Sequence, residues 1–336
     1  MTRVFSGARP TGRQHVGNYL GAIQNYVRLQ AEHQCIYCVV DVHALTTLED
    51  TAALRDNTRE MVLDWLAAGL DPERSIIFVQ SHVPEVMTLH TLLGMVTPLG
   101  WLTRVTTFKE KVREVVRRTE ENEDALLLDE RVNYGLLGYP VLMTADIILY
   151  KADVVPVGED QIPHLELARE IVRRFNRLFG PTFPEPQHRL TSFPRILGLD
   201  GVQKMSKSLN NHIELAATPE EIGKRVRTAV TDPQRRYRTD PGRPEVCNVY
   251  ALHHFYTPER LDEIGHRCRS ADVGCVECKQ ILAEQMAQAL TPFRERRADF
   301  ASRPGYVEEV LREGQRRAQA IARETIAEVR ERMGLP

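Results

Sequence analysis

The chain has 336 residues, 42% hydrophobic and 27% charged, with a formal net charge of −2. These proportions describe an ordinary globular protein of about two domains and exclude collagen-like, coiled-coil and disordered compositions. The longest charge-free apolar stretch runs from Val132 to Ala145 and contains Pro140. It is shorter than the roughly 20 residues of a membrane-spanning helix. The opening MTRVFSGARP has no signal-peptide core, so a cytoplasmic location is expected.

In chain order, a short strand is predicted over 4–6. A Gly-rich turn follows, then a helix with apolar positions Leu20, Ile23, Tyr26 and Val27. A continuous apolar run over 35–42 predicts a second strand. Residues 50–69 are amphipathic, through Leu54, Met61, Val62, Trp65 and Leu66, and 75–80 is a third strand. Residues 152–157 are predicted as strand and 164–179 as helix. Strands alternating with helices make an α/β layer with a parallel sheet, whose ligands bind beyond the strand C-termini. Residues 180–195, rich in Pro and polar side chains, read as a connection. From about Thr218 the strand pattern stops. Thr218, Pro219 and Glu221 mark a capped helix start, and further helices are predicted over 272–288 and 308–333. The second half is therefore mostly α, with a boundary near residue 210.

The Gly-rich stretch 6–21 reads S-G-A-R-P-T-G-R-Q-H-V-G-N-Y-L-G. It lies between the first strand and the first helix, where a phosphate can meet backbone N–H groups and a helix N-terminus. The dinucleotide pattern G-x-G-x-x-G is absent. The P-loop pattern fails too, because Arg13 and Gln14 stand where Lys and Ser or Thr are needed. Farther on, Lys204, Met205, Ser206, Lys207 and Ser208 follow the turn-forming Gly198–Gly201. Two ammonium groups and two hydroxyls beside glycine suit a loop that holds a polyphosphate.

An H-x-G-N loop near the N-terminus with K-M-S-K-S about 190 residues later resembles the class I aminoacyl-tRNA synthetases. Further motifs narrow this. They are G-x-x-P-T-G-x-x-H-x-G-N-Y-L-G-A at 7–22, D-V-H-A at 41–44, F-K-E-K at 108–111, Y-P-V-L-M-T-A-D at 139–146 and V-G-E-D-Q at 157–161. Together they resemble the tryptophanyl-tRNA synthetase family over nearly the whole chain. Tyrosyl-tRNA synthetase is the nearest rival, differing around the amino-acid pocket.

The resemblance implies a Rossmann-like catalytic domain over 1–210, with a dimer-interface insertion at about 100–190. An α-helical anticodon-binding domain with a C-terminal helix would fill 211–336. It implies activation of L-tryptophan by ATP with Mg²⁺, release of pyrophosphate, and transfer to the 3′ end of tryptophan tRNA by a homodimer. No protein nucleophile is needed, and catalysis is positioning plus charge stabilisation. By the same resemblance, Arg9, Pro10, Thr11, Gly17 and Asn18, with His15, belong to the ATP site. Gly158, Glu159 and Asp160 would face the ribose and Ile196 the adenine. Lys204, Met205, Ser206, Lys207 and Ser208 would hold the phosphates. Lys204, Lys207, His15 and Asn18 are the expected catalytic residues. Asp146 would accept the indole N–H, Met143 pack on the ring, and Tyr139 and Gln161 hold the α-amino group, with His43 near the same pocket. Read from the residues alone, Asp146 could equally cap a helix starting at Ile147. Arg9 and His15 depart from the Gln and Thr of many family members. The charged stretch 113–132 is longer than in compact members and is given no role. A retired synthetase paralogue acting as an RNA-binding or regulatory protein is the alternative from another class. The intact K-M-S-K-S, G-E-D-Q and Asp146 argue against it.

Cys35 and Cys38 lie three apart on a predicted strand, so they point to opposite faces and read as core. Cys247, Cys268, Cys275 and Cys278 are spaced C-x20-C-x6-C-x2-C, which suits structural Zn²⁺ or a [4Fe–4S] cluster. With T-D-P-x-R-x-x-R-x-D-P-G-x-P-E at 231–245, the pattern resembles a cysteine-bearing iron–sulfur subset of the family, which favours the cluster. Between Lys204 and Arg243, nine Lys and Arg face five Asp and Glu, a local excess of four positive charges suited to RNA phosphates.

Overall fold

The computed structural model describes residues 2–48, 50–105, 108–110, 112–113, 132–190 and 196–336. The stretch 114–131, most of the charged insertion noted above, lies outside the described residues, as does Lys111 of F-K-E-K. Five parallel strands form one sheet, in the order β3-β2-β1-β4-β5. They are β1 (Arg3–Ala8), β2 (Gln34–Val39), β3 (Ser75–Val79), β4 (Val154–Val157) and β5 (Gln187–Leu190). Chain order reverses between β1 and β4, and a crevice opens there beyond the strand C-termini. The α/β expectation therefore holds.

Both faces of the sheet are covered, so β2 and β3 are nearly all apolar rather than alternating. Cys35, Tyr37 and Ile77 join the core on one face; Ile36, Cys38 and Phe78 join the core on the other. The opposite-face reading of Cys35 and Cys38 is thus met.

The first helical region is α1 (Val16–Asn18), a π turn (Tyr19–Ile23) and α2 (Gln24–Leu29). The second strand ends at Val39, short of the predicted 42, because 41–44 curl into α3 (Asp41–Ala44). The Asp41 carboxylate drives this turn, accepting the N–H groups of Val42 and Ser81 at 3.0 Å each. After α4 (Leu54–Ala68), the chain reverses at Gly69, φ +114°, a left-handed C-terminal cap. On the opposite face lie α5 (Glu85–Val96), α6 (Leu99–Leu102), α7 (Tyr134–Leu149) and α8 (Ile162–Phe179). In α7 Pro140 breaks the N–H ladder, and the Thr144 hydroxyl donates to its carbonyl at 2.8 Å.

Residues 180–195 are not all connection, since they contain β5. Four residues flanked by Pro carry little strand signal, and pairing with β4 supplies what propensity does not. Then follow α9 (Pro219–Arg227), α10 (Asn248–Tyr256), α11 (Leu261–Arg269), α12 (Cys275–Ala289), α13 (Thr291–Ala301) and α14 (Tyr306–Met333). The predicted capping box of α9 is present: Thr218 and Glu221 bond each other's N–H at 3.2 and 2.7 Å.

The long helix α14 returns to the sheet and lies against β3, covering an edge that would otherwise be open. The closest approach is at Gly314, where a Cβ would sit 1.8 Å from the Ile77 carbonyl oxygen. Among the described residues no helix is long and apolar enough to cross a membrane.

Candidate active site

The crevice at the β1/β4 reversal contains a cavity of 370 Å³. Tyr139, Met143, Asp146, His43 and Gln161 all line it, together with Arg9 and Gly158. Four of these come from α7 and α3, whose faces meet over the ends of β1 and β2. Asp146 sits well inside α7 rather than at its start, so the helix-cap reading is overturned.

Asp146 is 2% exposed and accepts three hydrogen bonds. His43 Nε2 donates to Oδ2 at 2.9 Å, and Gln80 Nε2 lies 2.8 Å from each oxygen. Gln80, fully buried, takes the Val42 and His43 N–H groups on its own Oε1 at 3.1 and 3.3 Å. Sequence reading passed over Gln80. Its signal was a polar residue closing the apolar run SIIFV at the ligand-binding end of a strand. On the other wall, the Tyr139 hydroxyl donates to His164 Nε2 at 2.6 Å, and His164 Nδ1 donates to Gln161 Oε1 at 3.1 Å. Gln161 in turn donates to Asp160 at 2.7 Å. His164, read only as part of a helix, is the link between these residues.

The glycine-rich loop and the K-M-S-K-S segment touch each other. Lys207 Nζ donates to the Thr11 carbonyl at 2.5 Å, and the Gly17 N–H points at Met205 Sδ at 3.2 Å. A Cβ on Gly17 would meet Met205 Cβ at 3.0 Å, so glycine permits the contact. His15 and Asn18 cap α1 reciprocally: the His15 N–H donates to Asn18 Oδ1, and the Asn18 N–H to His15 Nδ1. Burial first, then His212, Lys207 and Lys204, pushes the His15 imidazole down to about 3, so it is neutral. Burial likewise lowers the pKa of Lys207. Asn211, buried, accepts the Ser206 N–H at 2.7 Å and donates to Asp200 at 2.6 Å, which fixes the base of this loop.

Arg9 donates to the Ala44 carbonyl and the Thr47 hydroxyl, tying the first loop to the turn that carries His43. Glu159 and Asp160 are exposed just past β4, and Pro10 is buried beside exposed Thr11. Ser206 and Ser208 share a hydroxyl bond at 2.9 Å, and Lys204 is exposed. Ile196 is not brought to the cavity. It is 6% exposed, packed in the core with Met205, and its carbonyl accepts the Met205 N–H.

The four late cysteines all lie in the helical half. Burial first, then Cys247, Cys268 and Cys275, pushes the Cys278 thiol up to about 12. Its Sγ lies 3.3 Å from His253 Nε2, and Arg235 points at Cys268 Sγ at 3.6 Å. The expected metal centre is not formed here: among the described residues no three His, Cys, Asp or Glu side chains are grouped to hold a metal ion. The donor chemistry, four thiols, still suits a thiolate-bound metal.

The family model described as tRNA synthetases class I (W and Y) matches residues 1–291. The chain is 45% identical over 340 residues to the tryptophan–tRNA ligase of Deinococcus radiodurans, covering 99% of each. It is 42% identical over 395 residues to that of Aquifex aeolicus, covering 99% of this chain and 100% of the other. Among solved structures it resembles the tryptophanyl-tRNA synthetase of Campylobacter jejuni complexed with ADP and tryptophan. That match has a TM-score of 0.86 at 32% identity, covering 99% of this chain and 100% of the other. With this family match and these relatives, this chain belongs to the class I tryptophanyl-tRNA synthetases, enzymes that ligate tryptophan to tRNA.

Proposed function

We propose that L-tryptophan occupies the 370 Å³ cavity and that ATP lies across the 9–18 loop, under the 204–208 segment. The observation that carries this is Asp146, a buried carboxylate oriented by Gln80 and His43 and facing an apolar cavity. Indole offers one N–H donor and no acceptor, so its reader must be an acceptor. Phenylalanine would leave that carboxylate short of a donor, at a cost of about 1–3 kcal/mol or more. Met143 packs on the ring, and Tyr139 and Gln161 hold the α-amino group, with His43 in the same pocket, bonded to Asp146.

On the nucleotide side, Arg9, Pro10, Thr11, His15, Gly17 and Asn18 form the floor under ATP. Gly158, Glu159 and Asp160 face the ribose, and Ile196 backs the adenine site from the core. The tryptophan carboxylate attacks the α-phosphorus in line, the bond from the α-phosphorus to the bridging oxygen breaks, and pyrophosphate leaves; Mg²⁺ bound to those phosphates would add positive charge there. Lys204 and Lys207, with Ser206 and Ser208, neutralise charge growing on the departing phosphates. The adenylate then passes its aminoacyl group to the terminal ribose of the tRNA. The test is ATP–pyrophosphate exchange with tryptophan, tyrosine and phenylalanine, for the native chain and Asp146→Ala. Tryptophan-dependent exchange, with the tryptophan-to-phenylalanine ratio collapsing in the variant, is expected. An unchanged ratio rejects the assignment.

The remaining roles are a homodimer through 100–190, a tRNA anticodon surface on the basic part of 211–336, and work in the cytoplasm. Cys247, Cys268, Cys275 and Cys278 are proposed to carry a [4Fe–4S] cluster, with Zn²⁺ the runner-up. Support comes from their spacing and from the mutual effect of the thiols on Cys278. Such a centre would supply positive charge to four thiolates and hold the 241–278 segment for RNA. Elemental analysis after anaerobic purification decides: about four irons per chain support the cluster. One zinc keeps the site and changes the metal; no metal rejects both.

A further inference from the structure

Behind the glycine-rich loop lies a buried carboxylate that no part of the reaction above uses. Asp64 of α4 is fully buried. Its Oδ2 accepts the backbone N–H of Gln14 at 2.5 Å, one residue before His15. Its Oδ1 accepts Arg297 Nε at 2.6 Å, across 233 positions of sequence. Arg297, on α13, also pairs with Glu60, which bonds Arg13 at 3.2 Å. From the other side the loop is pinned by the segment after K-M-S-K-S. The Leu215 N–H donates to the Gln14 carbonyl, and the Val16 N–H to the Ile213 carbonyl, each at 2.9 Å. Helix α13 reaches that segment too, through Arg294 to the Ala217 carbonyl at 3.4 Å. Arg296 of the same helix closes the end of α4 at the Ala67 carbonyl, at 2.7 Å.

A lone carboxylate in this core would be costly and would neutralise by taking a proton, weakening its grip on the N–H. Burial raises the pKa of Asp64, and the Gln14 N–H and the Arg297 guanidinium oppose that rise. We propose that Asp64 and Arg297 are positioning residues that set the height of the 14–18 loop under ATP, so that a helix far along the chain governs ATP affinity. Tryptophan binding should be untouched, because neither residue lines its cavity. The inference rests on the assignment of the 9–18 loop to ATP.

The variants are Arg297→Met, Arg297→Lys, and the double variant Asp64→Leu with Arg297→Met. The double variant removes both charges together, so it buries no unpaired ion and should fold. The readouts are KM for ATP in tryptophan-dependent exchange and Kd for tryptophan by equilibrium dialysis. Arg297→Met and the double variant should raise KM for ATP about tenfold, the loss of one charge-assisted hydrogen bond. Tryptophan Kd should stay within about twofold, and Arg297→Lys should recover most of the ATP affinity. A normal ATP KM in the double variant overturns the proposal, as does parallel loss of ATP and tryptophan binding. Asn18→Ala separates the two assignments. If it leaves KM for ATP unchanged, the loop does not bind ATP. If it raises KM while the double variant is normal, only the present inference fails.

Discussion

Gln80 Nε2 lies 2.8 Å from both carboxylate oxygens of Asp146. The orientation of this amide is forced, because its oxygen takes two backbone N–H groups of α3 and its nitrogen must then face the carboxylate. Asp146 is thereby held as an acceptor, aimed into the cavity by the end of one strand and the turn after another.

Replacing Gln80 by Met, of similar volume, should lower kcat/KM for tryptophan in pyrophosphate exchange by about 10- to 100-fold, the range for a hydrogen bond to a charged group. ATP KM should be unaffected. A change below twofold would show that His43 alone orients the carboxylate.

Lys204→Ala and Lys207→Ala should each slow adenylate formation far more than they weaken tryptophan binding. Charge grows on the pyrophosphate mainly in the transition state, and contacts made only there act on the rate constant. Single-turnover adenylate formation beside tryptophan Kd measures the split. A raised Kd with an unchanged rate would contradict the clamp.

Gly314→Ala should be among the most damaging single-methyl additions in the chain. The new Cβ would fall 1.8 Å from the Ile77 carbonyl oxygen, which is backbone and cannot swing aside. Helix α14 must then lift from the sheet edge, costing about 3 kcal/mol or more. Urea unfolding reads this directly, and a loss under about 1 kcal/mol would mean that α14 is loosely seated.

His15 should contribute to acid instability. Burial depresses its folded pKa to about 3, below the ordinary value of 6.5. Between those values the unfolded chain binds a proton that the folded chain refuses, so stability falls as pH drops from 6.5 toward 3. His15→Gln removes that proton uptake, and its urea midpoint should decline less steeply over the acid range. Identical slopes would contradict a buried neutral imidazole.

Strand and helix alternation, the capped start of α9, and the opposite faces of Cys35 and Cys38 were legible in the sequence. Each depends on local spacing, and local spacing survives folding. The catalytic family was legible for the same reason, since its motifs are short and contiguous.

Tertiary structure decided the rest. The strand β5 exists because β4 offers it a partner, not because Q-H-R-L prefers to extend. His43 reaches the cavity because Asp41 curls the end of β2 into α3. Ile196 lies in the core with Met205 beside it, 9 positions along the chain, a contact that only the fold of this loop brings about. Gln80, His164 and Asp64 matter through partners 66, 25 and 50 positions away, respectively. A hydrogen bond to a buried charge depends on which groups the fold excludes from water together, and that is a property of the packed chain rather than of any segment of it.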